Sequence, residues 1–372
     1  MSTPIYLDYN ATTPIDPRVA DAMRPYLDEI WGNPSSGHCF GLPAKAGLDK
    51  ARGQVAKLLG CSPAEVTFTS GGTESNNMAL IGTMRNLRER GNHLVTSAVE
   101  HPAINQVCEY LLAYEGCEIT YVPVDAEGLV AVEDLRAAIT DRTVLISIMH
   151  ANNEVGTIQP IRAISDLAHE RGIRMHTDAA QSVGKVSTKV DELGVDLLSI
   201  AGHKVYAPKG VGVIYIRDGM TLAPVLHGAG QENGVRAGTE NVLEITGLGM
   251  ACELIAKEVS HGAGLRDRLE AGLLAACPEA RVNGHPEKRL PNTLSISFPD
   301  RMASEIMARL ERVCCSAGAA CHSDTVKISA VLAAMQVPMS HAPGTLRLST
   351  GRMTTEAEID GALDDLLHAV RG

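Results

Sequence analysis

The chain has 372 residues, of which 45% are hydrophobic and 21% are charged, a composition typical of a soluble protein with about two to three domains. Its 33 lysine and arginine residues against 44 aspartate and glutamate residues give a net charge of −11, which disfavours binding to nucleic acid or to an anionic membrane. The sequence has no apolar run of the roughly 18 residues that a membrane span needs, and its start lacks the basic and apolar regions of a secretory signal. These features predict a cytoplasmic enzyme that acts on a small molecule.

Short apolar runs alternate with longer amphipathic stretches through most of the chain. The apolar runs predict strands at residues 66–69, 94–97, 119–122, 144–149, 174–177, 197–200 and 211–216. The stretches between them predict helices at residues 76–90, 102–114, 132–139 and 161–171. This alternation predicts an α/β fold around a mostly parallel sheet of seven strands.

The pattern changes after about residue 255. Residues 253–276, 304–312 and 355–370 are predicted helices, and residues 294–298 and 345–349 are predicted strands. Fewer strands and longer helices predict a smaller α+β domain at this end of the chain. We therefore expect a large domain of residues 15–256 and a small domain of residues 1–14 together with 257–372.

The segment SGGTESNN at residues 70–77 follows a predicted strand and leads into a predicted helix. Glycines let backbone N–H groups approach an anion, and a helix N-terminus adds further donors and the positive end of the helix dipole. This setting predicts a phosphate group at Thr73. A tight turn in which Thr73 or Ser75 caps the helix is the alternative.

Two further polar residues lie just after predicted strands. Asp178 follows the strand at 174–177, at the sheet edge where ligands gather, and there it would hold a protonated ring nitrogen or cap a helix. Lys204 comes 26 residues later, beside His203 and after small residues. A lone lysine is usually a solvated surface charge, but this position suits a lysine that forms a Schiff base.

The chain has nine cysteines, and Cys314, Cys315 and Cys321 form a local cluster. An odd number of cysteines without C-x-x-C spacing argues against a disulfide framework and against a structural metal site. We therefore expect no metal ion. Free cysteines are most often small buried apolar residues, which is our interpretation of Cys314 and Cys315.

Many short motifs match one known enzyme family in the same order along the chain. They are LDYNATTP (7–14), WGNPSS (31–36), FTSGGTESNN (68–77), VEH (99–101), NNEVG (152–156), HTDAAQSVGK (176–185), GHK (202–204), RAGTEN (236–241), GAACHSD (318–324) and LRLSTGRMTTEAEID (346–360). Through them the chain resembles the cysteine desulfurases and selenocysteine lyases, which are similar to class-V aminotransferases. The resemblance implies the fold of the fold-type I enzymes and their cofactor, pyridoxal 5′-phosphate (PLP).

The resemblance also implies how the cofactor is bound. Lys204 would bond to PLP and move a proton at the substrate Cα, and His101 would act as an acid or base. The implied cofactor ligands are His101 stacked on the ring, Asp178 on the ring nitrogen, Asn153 and Gln181 near the phenolic oxygen, Gly72, Thr73 and His203 on the phosphate, and Thr239 with Arg236 from the second subunit of a homodimer.

The substrate site is implied in the same way. Arg347 is the implied clamp for the substrate carboxylate, because its planar guanidinium suits bidentate binding. Asn153 borders this site, and Asn10 would either border it or serve as an ordinary turn residue. Cys321, on a glycine-rich loop of small residues, is the implied nucleophile that takes the sulfur.

The implied activity is the conversion of L-cysteine to L-alanine, with the sulfur kept on Cys321 as a persulfide and passed to an acceptor, for example in iron–sulfur assembly. Selenium release from L-selenocysteine is the alternative. Ala201 stands where many desulfurases have a phosphate-binding serine, and selenocysteine lyases tend to have an apolar residue there. An aminotransferase, another β-eliminating lyase and a non-catalytic partner in sulfur assembly are further alternatives, because the fold alone does not determine the reaction.

Overall fold

The computed structural model describes residues 3–258, 262–322 and 325–371, and the side chains of residues 262, 319–322 and 325–327 lie outside that description. The strands are β1 (Ile5–Tyr6), β2 (Val66–Thr69), β3 (His93–Ser97), β4 (Glu118–Val122), β5 (Thr143–Ser147), β6 (Arg174–Asp178), β7 (Leu197–Ala201), β8 (Gly212–Ile216), β9 (Arg281–Asn283), β10 (Thr293–Ser297), β11 (Val313–Cys314), β12 (Ser316–Ala317), β13 (Ala319–His322), β14 (Thr325–Ile328) and β15 (Thr345–Ser349). The helices are α1 (Pro17–Met23), α2 (Pro25–Asp28), α3 (Gly41–Leu59), α4 (Gly72–Asn86), α5 (Pro102–Tyr114), α6 (Val132–Ala138), α7 (Ile161–Glu170), α8 (Val190–Leu193), α9 (Val242–Lys257), α10 (Gly262–Ala276), α11 (Ala303–Arg309), α12 (Ala330–Ala334) and α13 (Glu356–Arg371). Short 3-10 helices lie at Pro63–Glu65, Gly202–Lys204, Gln231–Gly234 and Ala342–Gly344.

A sheet of seven described strands, in the order β2-β8-β7-β6-β5-β3-β4, forms the centre of the fold. β7, β6, β5, β3 and β4 run parallel to one another, and β8 runs against its neighbours β7 and β2. Helices α5, α6 and α7 connect successive parallel strands. The predicted α/β class and the seven predicted strands are confirmed, with strand ends that differ by no more than two residues.

The parallel strands direct their carboxyl ends to one edge of this sheet. The strands themselves are apolar and buried, as Val95, Ile146 and Leu198 show, because helices cover both faces of such a sheet. Polar residues begin where the strands end: Asp178 ends β6, and the turn Gly202–Lys204 follows β7. The topology therefore brings Asp178 and Lys204 to the edge where open α/β sheets bind their ligands.

A second, antiparallel sheet lies in the C-terminal part of the chain, in the order β12-β15-β10-β9. It has an apolar core of its own, which includes Phe298 and Leu346 together with residues of α10, α11 and α13. Ile5 and Leu7 belong to this core, because the N-terminal strand β1 pairs with β11. The α+β character predicted for this part of the chain is confirmed.

Several helix predictions need correction. The single helix predicted at 253–276 is instead α9 and α10, and α9 begins at Val242, where the Asn241 side chain accepts a hydrogen bond from the N–H of Glu244. Helix α4 begins at Gly72, four residues before its predicted start at residue 76. No prediction covers the 19 residues of α3, whose buried face includes small residues such as Gly47 that weaken the apolar pattern.

The segment that carries Cys321 is a hairpin in the structure and not the loop that its small residues predict. β13 pairs with β14, and Cys321 lies opposite Val326. The hairpin forms because Thr325, Val326 and Ile328 are β-branched residues that favour an extended partner strand. The side chain of Cys321 lies outside the described residues.

Candidate active site

A cavity of about 400 Å³ opens at the carboxyl edge of the seven-stranded sheet. It is lined by ten of the residues singled out in the sequence, namely Asn10, Gly72, Thr73, His101, Asn153, Asp178, Gln181, His203, Lys204 and Arg347. They come from the N-terminal segment, from α4, from the segments that follow β3, β5, β6 and β7, and from β15. The cavity therefore lies where the parallel sheet meets the antiparallel one.

Asp178 is held in place by two hydrogen bonds. Nδ2 of Asn76 donates to one carboxylate oxygen at 2.7 Å, and the backbone N–H of Ala180 donates to the other at 2.9 Å. Asp178 is 6% exposed and Asn76 is 1% exposed. The carboxylate is thus fixed in orientation while it faces the cavity, which is the arrangement needed to hold a protonated ring nitrogen. The sequence analysis missed Asn76, although it belongs to the SGGTESNN motif.

Lys204 is bound to the N-terminal segment across the cavity. Its Nζ donates to the carbonyl oxygens of Asn10 and Ala11 at 2.5 Å and 2.7 Å. Burial lowers the pKa of Lys204 to about 8, the charge of Arg347 adds to this shift, and the carboxylates of Asp178 and Asp8 oppose it. The amine therefore loses its proton close to neutral pH, as a nucleophilic or proton-transferring lysine must.

The segment after Lys204 is strained and firmly anchored. Tyr206 has a φ of +64°, a conformation that costs free energy for a residue with a side chain. Its backbone N–H donates to Oγ1 of Thr13 at 2.8 Å, and the N–H of Thr13 donates to the carbonyl of His203 at 2.9 Å. These contacts fix the turn that carries His203 and Lys204.

The N-terminus of α4 lies at one end of the cavity, which Gly72 and Thr73 line. The N-cap residue Gly71 has no side chain that could accept hydrogen bonds from the first N–H groups of this 15-residue helix. These N–H groups are therefore left free to donate to an anion at this end of the cavity. A Cβ atom at Gly72 would lie 3.1 Å from Cβ of Ala201, so the backbone approaches β7 closely. Burial lowers the pKa of His203 to about 4, and the charges of Lys204 and Lys209 add to the effect, so this imidazole is neutral at pH 7.

His101 caps α5 and faces the cavity. Its Nδ1 accepts a hydrogen bond of 3.1 Å from the N–H of Ala103, which leaves the proton of the neutral ring on Nε2. Desolvation lowers the pKa of His101, the carboxylate of Asp178 opposes that shift and the charge of Lys204 adds to it. The neutral ring is therefore able to stack on a flat cofactor and to donate a hydrogen bond from Nε2.

Asn10 is the centre of a hydrogen-bond network beneath the cavity. Its carbonyl accepts from Nε2 of Gln181 at 2.9 Å, and its Oδ1 accepts from Nζ of Lys185 at 3.1 Å. Nζ of Lys185 also donates to Oε1 of Gln181 at 3.0 Å, while Nδ2 of Asn10 donates to the carbonyl of Asn153 at 3.2 Å. Asn10 thus lies in a turn of the N-terminal segment and lines the cavity.

Arg347 reaches the cavity from β15. Its Nη1 donates to the carbonyl of Asn153 at 3.2 Å, and its Nη2 donates to Asp8 at 2.8 Å and to Ser316 at 2.9 Å. Nε is buried and has no partner within the described part of the chain. The guanidinium is therefore fixed at the cavity wall, and the second N–H of Nη1, which has no described partner, is the donor left for a ligand.

Some of the proposed residues lie elsewhere. Thr239 is exposed and is absent from the described lining of the cavity, and Arg236 pairs with Glu74 at 2.8 Å. Cys314 is exposed, contrary to the expectation that it is buried, because β11 turns it outward. Cys315 is partly buried, and burial raises the pKa of its thiol to about 12. Cys315 is thus a neutral thiol at pH 7.

The side chains of the cavity fit PLP. A carboxylate, a lysine of lowered pKa and a helix N-terminus match the ring nitrogen, the aldehyde and the phosphate of this cofactor. Oδ1 of Asn76 is buried without a partner among the described residues, next to Asp178, which marks an acceptor left for a bound group.

In the described ranges, every helix is too short or too polar to cross a lipid bilayer.

The comparisons with known proteins agree with this fit. The family model of the class-V aminotransferases matches residues 5–361. A cysteine desulfurase IscS of Dictyoglomus turgidum is 46% identical, over 98% of this chain and 94% of that protein. Two solved structures are similar: a NifS-like protein with a TM-score of 0.93 and 38% identity, over 99% of this chain and 100% of that one, and SspA in complex with cysteine with a TM-score of 0.82 and 35% identity, over 93% and 98%.

The fold and the cavity together define a fold-type I enzyme that uses PLP. The chain belongs to the class-V aminotransferase family.

Proposed function

We infer that the protein is a PLP-dependent cysteine desulfurase, which converts L-cysteine to L-alanine and keeps the sulfur on a cysteine of its own. The observation that carries this inference is the single cavity in which Lys204, Asp178 and Arg347 meet. Two relatives named cysteine desulfurase are similar over nearly the whole chain, and the similar SspA structure holds cysteine.

Bound PLP supplies an electron sink for the pair that is left on the substrate Cα when its proton is removed. Asp178 would hold the ring nitrogen in its protonated form, and His101 would pack against the ring. Gln181 and Asn153 would bind the phenolic oxygen. The phosphate would be bound by the N–H groups of the α4 terminus at Gly72 and Thr73, and by the imidazole of His203.

The substrate is placed by its carboxylate. Arg347 would bind the carboxylate, with Asn153 and Asn10 beside it, so that the amino group of cysteine points into the cavity. Lys204 then removes the proton from the substrate Cα and returns one at the carbon from which sulfur has left. Its lowered pKa of about 8 suits both directions of transfer near neutral pH.

Cys321 takes the sulfur. Its thiolate attacks the substrate sulfur, a new S–S bond forms, and the Cβ–S bond breaks with its electron pair passing to the substrate carbon, where protons complete alanine. The sum of the steps is L-cysteine and a thiol giving L-alanine and a persulfide, so no outside oxidant or reductant is needed. A sulfur-acceptor protein, in iron–sulfur assembly for example, then receives the sulfur and regenerates the thiol.

Cysteine is favoured over selenocysteine as the substrate. The relatives described above carry the name cysteine desulfurase, and the similar SspA structure was determined with cysteine. In a desulfurase with alanine at position 201, the other donors at this end of the cavity, Gly72, Thr73 and His203, would bind the phosphate.

The active form we propose is a cytoplasmic homodimer in which Thr239 and Arg236 of each chain complete the cavity of the other. Thr239 is exposed on its own chain, as a residue that reaches a second subunit must be in the monomer. The stacked rings of Trp31 and Phe40, 67% and 53% exposed, form an apolar surface that a second copy would cover. All cysteines with a described side chain are free thiols, which suits a reducing compartment.

Two of the four described apolar cores support our proposal of two domains, residues 15–256 and residues 1–14 with 257–372. The first core runs from Val19 to Leu254, and the second combines Ile5 and Leu7 with residues from Leu269 to Val370. This division puts Arg347 and Asn10 on the small domain and the cofactor ligands on the large one.

Alanine release from L-cysteine by the PLP-loaded enzyme tests the function. We expect Lys204→Ala to lower the rate by at least about a hundredfold, the usual contribution of a proton-transferring group, and the exposed neighbour Lys209→Ala to leave it unchanged. L-selenocysteine is assayed in parallel. Full turnover in Lys204→Ala would contradict the inference, and alanine release from selenocysteine alone would instead establish the lyase.

A further inference from the structure

Asp8 makes an ion pair with the arginine that faces the cavity. Its Oδ1 accepts hydrogen bonds from Nη2 of Arg347 at 2.8 Å and from Oγ of Ser316 at 2.9 Å. Nη2 also donates to Oγ of Ser316 at 2.9 Å, so the three side chains close a ring of hydrogen bonds. Only 18% of the Asp8 side chain and 13% of the Arg347 side chain are exposed, and a shielded pair of this kind is held more firmly than an exposed one.

We propose that Asp8 is a positioning residue for the substrate carboxylate: it does not touch the substrate, but fixes the plane of the Arg347 guanidinium at the cavity wall. The proposal rests on the proposed function, in which Arg347 binds that carboxylate. Asp8 itself is absent from the described lining of the cavity. Its effect therefore reaches the substrate only through Arg347.

The remaining contacts of Arg347 indicate which donors are left for a ligand. Nη2 is occupied by Asp8 and Ser316, and Nη1 donates to the carbonyl of Asn153 at 3.2 Å. Nε is buried without a partner in the described ranges. Nη1 has two N–H groups and uses one of them for the carbonyl of Asn153, so its second N–H, which has no described partner, is the donor left for a carboxylate oxygen.

The position of Asp8 is set by the same strand that carries Arg347. Asp8 forms an isolated β-bridge with Ser349, two residues beyond Arg347 in β15. The backbone N–H of Asn10 donates to Oγ of Ser349 at 2.9 Å. Asp8 and Arg347 are therefore tied together by backbone as well as by side chain, which restricts the rotamers of the arginine before substrate arrives and lowers the entropy cost of binding.

Ser316 connects this ring to the hairpin that carries Cys321. It lies opposite Arg347 in the pairing of β12 with β15. Two residues further, the N–H of Gly318 donates to the carbonyl of Thr345 at 2.8 Å, and the N–H of Ser329 donates to the carbonyl of Gly318 at 3.0 Å. The ring thus sets the carboxylate-binding arginine relative to the base of the hairpin.

Two variants of the PLP-loaded enzyme test the proposal, with kcat and KM for L-cysteine as one readout. The second readout is the Kd of 3-mercaptopropionate by calorimetry, because this probe has the thiol and the carboxylate but no amine that reacts with PLP. We expect Asp8→Ala to raise both KM and Kd by about tenfold, or about 1.4 kcal/mol, with kcat changed by less than about threefold. Asp8→Asn should restore most of the binding, because an amide oxygen accepts the same two hydrogen bonds.

Asp16→Ala is the matched control. Asp16 also belongs to the N-terminal segment and is also paired, with Arg18 at 2.9 Å and with Arg352 at 2.6 Å, but these two arginines, unlike Arg347, are absent from the described lining of the cavity. We expect Asp16→Ala to lower the melting temperature without a change in KM or Kd. A role of Asp8 in folding alone would make the two aspartate variants behave alike.

Arg347→Lys separates a failure of this proposal from a failure of the proposed function. If Arg347→Lys raises KM and Kd while Asp8→Ala leaves both at the native values, the role of Asp8 is refuted and that of Arg347 stands. If Arg347→Lys also binds both compounds like the native enzyme, the assignment of Arg347 to the substrate carboxylate fails. A fall in kcat as large as the rise in KM for Asp8→Ala would likewise overturn a role limited to positioning.

Discussion

Asn76 of α4 donates a hydrogen bond of 2.7 Å to Asp178 at the end of β6, across 102 positions of sequence. Both side chains are buried, and the second oxygen of Asp178 accepts from the N–H of Ala180 at 2.9 Å. The helix whose N-terminus would bind the phosphate therefore also fixes the carboxylate that would hold the ring nitrogen. One element would thus position both ends of the cofactor.

The first prediction follows from this hydrogen bond. Asn76→Ala removes the donor and leaves a buried carboxylate oxygen without its partner, at a cost of roughly 1.5–3 kcal/mol. We expect the Kd for PLP, measured by equilibrium dialysis of the cofactor-free enzyme, to rise about ten- to a hundredfold. Asn77→Ala is the control, because the Asn77 side chain donates to the carbonyl of Thr73 on the exposed side of the same helix and has no described bond to Asp178. An equal rise of the Kd in both variants would show that the substitutions disturb the helix and do not act through the hydrogen bond to Asp178.

The second prediction concerns the pH dependence of PLP incorporation. Only the neutral amine of Lys204 bonds to the cofactor, so the rate of incorporation should rise with pH and level off above a midpoint near the pKa of about 8. Arg347 lowers this pKa by its positive charge, so Arg347→Ala should move the midpoint to higher pH. Stopped-flow absorbance measurements from about pH 6 to about pH 10 cover the range. A midpoint near 10.5, the ordinary lysine value, would contradict the burial of this amine.

The third prediction concerns Ala201. Its Cβ faces Gly72 at the phosphate end, where a Cβ on Gly72 would lie 3.1 Å away. Ala201→Ser adds a hydroxyl donor at this wall. We expect the Kd for PLP to fall by about tenfold, because this is the effect of one added hydrogen bond to a charged group. Gly72→Ala should weaken PLP binding, because the added methyl group enters the same space. An unchanged Kd in Ala201→Ser would mean that this wall does not face the phosphate.

The parts of the site that end strands were predictable from local sequence. Asp178 and Lys204 follow apolar runs that the sequence predicts as strands. Because parallel strands direct their carboxyl ends to one edge of the sheet, the two residues are expected at that edge. Arg347 and Asn10 were placed by resemblance only, because they meet through the pairing of segments at opposite ends of the chain. No local periodicity encodes that pairing.

The supporting residues could not be predicted in the same way. Asp8 and Asn76 carry no signal beyond their motifs, since a polar residue in a turn or a helix is most often solvated, and their partners are distant in sequence. Helix α3 and the first part of α9 were missed for a different reason. The buried faces of α3 and α9 contain many small residues, which contribute little to an apolar pattern but allow the two helices to pack closely.

A single-turnover experiment with L-cysteine tests the central claim most directly. The PLP-loaded enzyme is mixed with a limiting amount of L-cysteine, and the alanine formed is quantified. The persulfide is trapped by alkylation and located by peptide mass spectrometry. We predict equal amounts of alanine and of persulfide on Cys321, loss of both in Cys321→Ser, and native values in Cys314→Ser. Undiminished alanine release by Cys321→Ser, or sulfur released as free sulfide with pyruvate as the product, would contradict a desulfurase that acts through Cys321.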